Sequence, residues 1–310
     1  TNMARTLFLN KSALEKGYQR PAGADETKLK QISVIGSGMM GSGIAYASIL
    51  QGLEVLLIDQ NIKAAEAGKA KIEMLLSESV KRKKLSEEEK IRLLKKVKTD
   101  ASLENISSSD LVIEAVFEDL NLKHNLYKKI EPHLKEGAIL ASNTSTLPIT
   151  KLSEVLADST RFLGIHFFSP VDKMNLVELI KSERTNDNAL AVALDYTSLI
   201  KKTPIVVNDS RGFYANRCII PYINEGLRML SEGIEPALIE NSAKQIGMPV
   251  GPLQLLDELS VSLALNVAKE TKEALGTKYE ETGTESILLE MSRKNRLGRK
   301  ELAGFYEYDE

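Results

Sequence analysis

The sequence predicts an α/β protein, a doubly wound and mostly parallel sheet followed by an all-helical C-terminal domain. Residues 29–207 alternate short apolar runs rich in β-branched residues with longer amphipathic segments. This alternation builds a parallel sheet with helices on both faces. After residue 208 the strand signals stop and apolar residues recur at helical spacing. We therefore expect a linker segment at 1–28, an α/β domain at 29–207 and a helical domain at 208–310.

The elements of the α/β domain follow from its apolar runs. The first two strands are expected at 32–35 and 55–58, and the charged segment 62–98 after them is expected to form paired amphipathic helices. Ser86, followed by three glutamates, predicts the start of the second of these helices. Further strands are expected at 111–113, 138–141, 162–167, 177–180 and 204–207.

The C-terminal domain is predicted as long helices at 213–230, 236–246 and 253–275. The only cysteine, Cys218, falls in the first of them, and we expect it in the buried core. A single cysteine excludes an internal disulfide and suits a reducing compartment. We therefore expect a cytoplasmic protein, or an organellar or peroxisomal one in a eukaryote.

Composition places the chain among globular proteins. Hydrophobic residues make up 43% and charged residues 27% of its 310 residues. A formal net charge of −2 gives no reason to expect a nucleic-acid partner. No apolar stretch approaches the ~18 residues that a membrane span needs. We also predict no metal site.

A glycine-rich turn follows the first predicted strand and has the pattern G-x-G-x-x-G. Gly36 permits the tight turn, Gly38 lets the backbone approach a pyrophosphate, and Gly41 lets the next helix pack against the strand. The N–H groups of the first helical turn, which includes Met39 and Met40, then face the phosphates. The pattern predicts a Rossmann-type dinucleotide-binding domain, and a helix start without a ligand is the alternative.

Asp59 ends the second predicted strand, 18 residues past Gly41. A carboxylate at this distance is expected to meet the adenosine ribose of the dinucleotide. It favours NAD over NADP, because it would repel a 2′-phosphate.

A histidine and a glutamate on two neighbouring predicted strands form a candidate catalytic site. His166 lies toward the end of one predicted strand and Glu178 begins the next, with a turn at Pro170 between them. A carboxylate on one ring nitrogen fixes the histidine tautomer and stabilises its cation. Such a pair can take a hydroxyl proton while hydride leaves the same carbon. A structural histidine is the alternative.

Other polar side chains are candidates for ligand contacts. Ser145 follows a predicted strand at the sheet edge that faces the ligand crevice, and Asn216 opens the helical domain. A loop hydroxyl bonded to backbone and a hydrogen bond inside a helix are their respective alternatives. The basic run 81–84, which includes Lys83, is either a solvated helix face or a site for an anionic ligand's phosphates.

At these residues the chain resembles the L-3-hydroxyacyl-CoA dehydrogenase family of fatty-acid β-oxidation. The resemblance runs from about residue 30 to residue 309. The segment 5–17 is similar to the linker that follows the enoyl-CoA hydratase module in fused multifunctional enzymes of the fatty oxidation complex α-subunit type. The shared motifs lie at 36–43, 114–118, 142–145, 166–171, 176–178, 212–217 and 251–252.

This resemblance implies roles for the candidate residues. His166 would be the base that removes the 3-hydroxyl proton, and Glu178 would be its orienting partner. Ser145 and Asn216 would hydrogen-bond the substrate's oxygens, with Ser145 also near the nicotinamide. The residues implied to hold NAD are Gly36, Gly38, Met39, Met40, Gly41, Asp59, Glu114, Ala115, Val116, Ser145 and Ser169.

The chain departs from the family's pattern at three places. Ser169 stands where many relatives carry an asparagine, and its shorter side chain reaches less far toward the nicotinamide amide. Asn121 replaces a lysine, which leaves Lys123 as the cation that could supply a contact to NAD. Near the C-terminus, Glu301 and Leu302 replace a Thr-Gly pair in a loop near the cofactor.

The resemblance implies NAD-dependent oxidation of an L-3-hydroxyacyl-CoA to the 3-ketoacyl-CoA, with the active site between the two domains. Lys83 is then a candidate for binding the phosphates of the acyl-CoA. A homodimer through the helical domain is expected, and in a longer protein an upstream enoyl-CoA hydratase module and a thiolase partner. The alternatives are a dehydrogenase of a free 3-hydroxy acid and a fragment that binds NAD but catalyses weakly.

Overall fold

The computed structural model describes residues 2–24, 27–279 and 283–309. The chain forms two compact units, Thr1–Tyr214 and Ala215–Glu310. The sequence places the domain boundary slightly earlier, between residues 207 and 208. No helix in the described part of the chain is long and apolar enough to cross a membrane.

The first unit is built on an eight-stranded sheet with the order β3-β2-β1-β4-β5-β6-β7-β8. All neighbouring strands are parallel except β6 and β7, which are antiparallel. This confirms the predicted doubly wound α/β fold. The strands are β1 (Gln31–Ile35), β2 (Glu54–Ile58), β3 (Val97–Asp100), β4 (Leu111–Glu114), β5 (Ile139–Ser142), β6 (Phe162–Phe167), β7 (Leu176–Lys181) and β8 (Thr203–Asn208).

Helices cover the sheet of the first unit. A π-helix, Arg5–Asn10, joins the first two, and short 3₁₀ turns occur at Leu103–Ser108, Glu131–His133 and Ser159–Arg161. The α-helices are α1 (Asn2–Ala4), α2 (Lys11–Glu15), α3 (Met39–Leu50), α4 (Ile62–Lys81), α5 (Glu87–Leu94), α6 (Leu120–Ile130), α7 (Ile149–Ser153) and α8 (Asp187–Leu199).

The sheet has an apolar core on each face. Val55 and Leu57 of β2 belong to one buried cluster, whereas Leu56 and Ile58 belong to the other. Successive side chains of a strand point to opposite faces, so a strand buried on both sides is a continuous apolar run. This burial explains why the apolar runs predict seven of the eight strands.

The predicted pair of charged helices is also confirmed. Ser86 caps α5 in a capping box, since its hydroxyl accepts from the Glu89 amide and the Glu89 carboxylate accepts from the Ser86 amide. The end of the predicted helical segment is instead strand β3.

Residues 15–20, which precede β1, contact β8 and α8. The Thr203 hydroxyl donates to Glu15 at 2.8 Å, and the Val206 amide donates to the Gln19 side chain at 3.1 Å. Arg20 pairs with Asp195 of α8, with its Nε 2.8 Å from Oδ1.

The second unit is helical. It contains 3₁₀ turns at Gly276–Lys278 and Arg299–Glu301. Its α-helices are α9 (Ala215–Ser231), α10 (Pro236–Gln245), α11 (Pro252–Leu259), α12 (Val261–Leu275) and α13 (Glu285–Arg293).

Two expectations for the second unit are wrong. The predicted helix over 253–275 is divided at Ser260, whose φ of 94° is incompatible with a continuous α-helix. Cys218 is exposed on α9 rather than buried, because the apolar face of that helix is formed by residues such as Ile223 and Leu227.

Candidate active site

The glycine turn joins β1 to α3 at a very close backbone approach. Gly36 has a φ of 100°, and a Cβ added there would lie 2.5 Å from the Ala115 carbonyl oxygen. A Cβ on Gly41 would lie 1.7 Å from the Gly36 carbonyl oxygen. Both positions therefore require glycine, as the motif predicts.

Gly38 serves a different purpose, since it is the N-cap of α3 and a Cβ there would meet no atom within 4 Å. The space beside it is open to a ligand. The amides of Met39 and Met40 belong to the first helical turn, where N–H groups have no intrahelical acceptor. An anion at this position would meet free N–H donors and the positive end of the helix dipole.

Asp59 follows β2 and is tied to the same turn. Its Oδ2 accepts from the Ser37 amide at 2.7 Å and from the Ser37 hydroxyl at 2.6 Å, while Oδ1 accepts from the Gln60 amide at 2.8 Å. Partial burial raises the pKa of Asp59, but these hydrogen bonds outweigh it and hold the pKa below its ordinary value. The group is therefore a carboxylate at neutral pH. Its Oδ1 accepts a single hydrogen bond and retains capacity for a further donor.

A cleft of about 760 Å³ opens beside this turn. It lies where the sheet order reverses between β1 and β4, the position at which doubly wound sheets bind ligands. Its polar contribution comes mainly from Asp59, Gln60, Asn125 and Lys129, and the rest is largely apolar. The apolar and backbone lining includes Ile35, Gly36, Gly38, Ile58, Ala115, Val116, Phe117, Leu122 and Leu126.

Glu114 lies at the end of β4 and orders the backbone after that strand. Its Oε1 accepts from the Val116 amide at 2.8 Å and from the Lys123 ammonium at 2.7 Å. Its Oε2 accepts from the hydroxyls of Tyr127 and Ser142 at 2.6 and 2.8 Å. All four acceptor positions of this buried carboxylate are thus used within the protein.

Glu118 organises the polar loop after β5. Its Oε1 accepts from the Thr144 hydroxyl at 2.6 Å and from the amides of Ser145 and Thr146 at 2.9 and 3.1 Å. Its Oε2 lies 3.1 Å from the Lys123 ammonium. Burial raises the pKa of Glu118, but Lys123 and the hydrogen bonds outweigh it and lower the pKa.

Lys123 therefore joins the loops after β4 and β5. It is 1% exposed and lies between Glu114 and Glu118. Its ammonium is committed to these two carboxylates. Sequence reasoning considered Lys123 only as a substitute cation for NAD and did not single out Glu118. The spacing of Lys123 and Glu118 does not reveal their joint role, because the loop that Glu118 binds, residues 144–146, is distant in sequence.

His166 and Glu178 are brought together as the sequence predicts. They are partners in the antiparallel ladder of β6 and β7, and His166 Nδ1 lies 2.7 Å from Glu178 Oε2. Glu178 is fully buried, and its Oε1 accepts from the Tyr214 amide at 3.0 Å. The hydrogen bond to a carboxylate assigns the proton to Nδ1, so Nε2 is the basic nitrogen.

The surroundings fix the orientation of the imidazole. The rings of Phe168 and Phe213 lie 4.6 and 5.9 Å from it, centroid to centroid. The Phe167 amide donates to Asn143 Oδ1 at 2.9 Å, so a side chain after β5 extends the ladder to the end of β6. Sequence reasoning did not single out Asn143, whose effect on His166 passes through backbone.

The connection between β6 and β7 contacts the glycine turn. The Ser169 hydroxyl donates weakly to Met39 Sδ at 3.8 Å. Val171 is buried, and a Cβ added to Gly43 would lie 2.9 Å from its Cβ. Ser169 is thus close to the first turn of α3, although it is far from it in sequence.

The remaining candidates belong to other elements. Asn216 is in the first turn of α9, in the second unit. Lys83 is exposed in the turn after α4, with a φ of 56°. The structure assigns it no side-chain partner among the described residues.

The sequence profile of the 3-hydroxyacyl-CoA dehydrogenase NAD binding domain matches residues 31–210. The profile of the 3-hydroxyacyl-CoA dehydrogenase C-terminal domain matches residues 212–308. The glycine turn, the open position at Gly38 and the Asp59 carboxylate fit the dinucleotide that the first of these domains binds.

Known proteins resemble the chain over most of its length. It is 36% identical over 305 residues to the fatty acid oxidation complex subunit alpha of Shewanella baltica, which covers 98% of this chain and 43% of that relative. The chain thus spans less than half the length of the curated relatives it matches.

Solved structures share the fold. The (S)-3-hydroxybutyryl-CoA dehydrogenase of Ralstonia eutropha has a TM-score of 0.84 at 36% identity, with 91% of this chain and 100% of that chain covered. The 3-hydroxybutyryl-CoA dehydrogenase of Escherichia coli K12 has a TM-score of 0.85 at 30% identity, with 91% and 60% covered. The chain therefore belongs to the 3-hydroxyacyl-CoA dehydrogenase family of NAD-dependent oxidoreductases.

Proposed function

We propose that the chain oxidises the 3-hydroxyl group of L-3-hydroxyacyl-CoA esters to the ketone with NAD⁺. The observation that carries the proposal is the 2.7 Å contact between His166 and Glu178. The pair belongs to the same unit as a dinucleotide-type glycine turn, and the Ser169 connection next to it contacts that turn. The name of the matched family and the names of the relatives support the substrate class.

His166 acts as the general base. Its Nδ1–H donates to Glu178, so the lone pair of Nε2 takes the proton of the substrate hydroxyl. Glu178 keeps the ring in this tautomer and stabilises the imidazolium that forms. The Tyr214 amide holds the other carboxylate oxygen, which fixes the direction from which Glu178 meets the ring.

Bound NAD⁺ supplies the acceptor for the hydride that leaves C3. The amides after Gly38 would hold its pyrophosphate and Asp59 its adenosine ribose, and the backbone of 115–116 lines the cleft. Ser145 and Asn216 hydrogen-bond the substrate's oxygens. Ser169 would lie toward the nicotinamide end, and Lys83 would bind phosphates of CoA.

Oxidation of NADH by 3-ketoacyl-CoA esters tests this function. We expect turnover with acetoacetyl-CoA and none with free acetoacetate, and longer 3-ketoacyl-CoA esters then give the chain-length preference. Turnover with acetoacetate but not with its CoA ester would favour a dehydrogenase of free 3-hydroxy acids. NADH binding without turnover of either would identify a weakly catalytic NAD-binding fragment.

The length of the relatives supports a larger assembly. Because the chain matches 43% of the Shewanella baltica protein, we propose that it works beside an upstream enoyl-CoA hydratase module and with a thiolase, which would use the 3-ketoacyl-CoA. Its single cysteine suits the cytoplasm. We further propose a homodimer through the helical unit, whose helix α12 exposes Leu263 and Leu275.

A further inference from the structure

Lys202 is a buried lysine that the proposed chemistry does not use. It directly precedes β8 and is 7% exposed. Its ammonium donates to the carbonyl oxygens of Val171 and Met174, at 2.5 and 2.7 Å. Burial lowers its pKa, while the charge of Asp172 acts in the opposite direction. A lysine whose main acceptors are backbone carbonyls acts as a cross-link between strand and loop.

The cross-linked loop is the connection between the strands of His166 and Glu178. Its amides at Lys173 and Met174 both donate to the Pro170 carbonyl, which makes it a tight turn. The Thr203 amide donates to the Asn175 carbonyl at 2.8 Å, beside the Lys202 contacts. The start of β8 therefore holds the loop through three of its carbonyls.

The opposite side of this loop contacts helix α3, which follows the glycine turn. Val171 packs against Gly43 of α3, and Ser169 contacts Met39 in the first turn of that helix. Lys202 binds the carbonyl of Val171 itself. A change at Lys202 would therefore reach α3 through a single residue, Val171.

We propose that Lys202 is a positioning residue for the cofactor, holding the β6–β7 connection against α3 so that Ser169 and Val171 shape the nicotinamide end of the NAD site. The inference rests on the proposed function, because it assumes that NAD binds at the glycine turn. It goes beyond that function because the affinity for NAD then depends on Lys202, whose side chain does not touch the cofactor.

Binding of NADH, measured by isothermal titration calorimetry, tests the inference with Lys202→Met. Methionine keeps the length of the side chain but removes all donors. The matched control is Lys69→Met, because the Lys69 ammonium also donates to a backbone carbonyl, that of Val97 at 2.7 Å, in the same unit. Circular dichroism and thermal unfolding report whether each variant is folded.

We expect the Kd for NADH to rise about tenfold in Lys202→Met and to stay unchanged in Lys69→Met. In turnover assays the KM for NADH should rise with it, while the KM for acetoacetyl-CoA should not change. If Lys202→Met acted only through a general loss of stability, the KM values for both substrates would change together. A folded Lys202→Met protein with the Kd of the unaltered chain would overturn the inference.

Two further measurements decide the matter if Lys202→Met does not fold. Lys202→Leu is a second variant without donors, and an unchanged Kd for NADH in it would count against the inference. If neither variant folds, amide hydrogen exchange in residues 171–175 of the unaltered chain should slow when NADH is added. Exchange that stays equally fast would overturn the inference. If the unaltered chain does not bind NADH, the proposed function fails first, and this inference with it.

Discussion

His166 and Glu178 face each other across an antiparallel ladder, so their separation is set by strand pairing and not by a flexible loop. Their proximity could be predicted, because a strand, a short turn and a second strand leave few alternatives. The roles of Lys123, Glu118 and Asn143 could not. Glu118 and Asn143 accept from the backbone amides of Ser145 and Phe167, which are distant in sequence, and Lys123 pairs with Glu118. A single sequence does not specify such contacts.

Replacing His166 by glutamine tests the base at the residue scale. Glutamine is similar in size but cannot take a proton, so kcat should fall by about 10²–10⁴-fold. The Kd for NADH should stay the same, because the glycine turn and Asp59 are unaltered. Steady-state assays with acetoacetyl-CoA give kcat, and calorimetry with NADH gives the Kd.

His124→Gln is the matched control. His124 lies on α6, where its Nε2 contacts the Lys151 carbonyl at 2.8 Å, and its replacement should leave kcat unchanged. Equal loss of activity in both variants, or normal kcat in His166→Gln, would contradict the assignment of the base.

At the scale of elements, the errors of prediction have physical causes. Strand β3 was not expected because it has no apolar run. Only its first residue, Val97, is buried, and Lys98, Thr99 and Asp100 follow it. The break between α11 and α12 was not expected because the apolar spacing of 253–275 continues across it. Ser260 carries the break through a backbone conformation that favours glycine, and nothing in its residue type announces it.

Replacing Ser260 by glycine should stabilise the second unit. A serine with φ of 94° and ψ of 142° stores strain of about 1–3 kcal/mol. Glycine loses the cap that the Ser260 hydroxyl gives to the Leu263 amide, which costs only a few tenths of a kcal/mol. We expect the free energy of unfolding in urea to rise by about 1 kcal/mol.

The control is Ser86→Gly. Ser86 also caps a helix, but its φ is −86°, so no strain is relieved there. This variant should lose a few tenths of a kcal/mol of stability. If Ser260→Gly were destabilised in the same way, the positive φ of Ser260 would not store the strain that we assign to it.

At the scale of the whole molecule, the alternation of apolar and amphipathic segments predicts the fold class, and the resemblance of the motifs indicates the family. The oligomeric state is not settled by the same reasoning, because exposed apolar residues do not name their partner. Helix α12 has both Leu263 and Leu275 more than 40% exposed, which supports an interface on the helical unit.

Sedimentation velocity at micromolar concentration should give a dimer. Leu263→Glu should weaken the dimer, because it places a charge in an apolar contact. Ile91→Glu, at a 53% exposed position on α5 of the first unit, is the control and should leave the dimer intact. A monomeric unaltered chain would contradict the proposed homodimer.

The contacts of the segment before β1 also affect how the protein behaves in solution. β8 is the last strand of the sheet, and an uncovered last strand invites edge-to-edge aggregation with other chains. Gln19 accepts from the Val206 backbone amide of that strand, and Glu15 accepts from the Thr203 hydroxyl. Arg20 anchors the segment to α8. A protein shortened to begin at β1 would keep every proposed catalytic residue and yet offer a sticky edge to its neighbours.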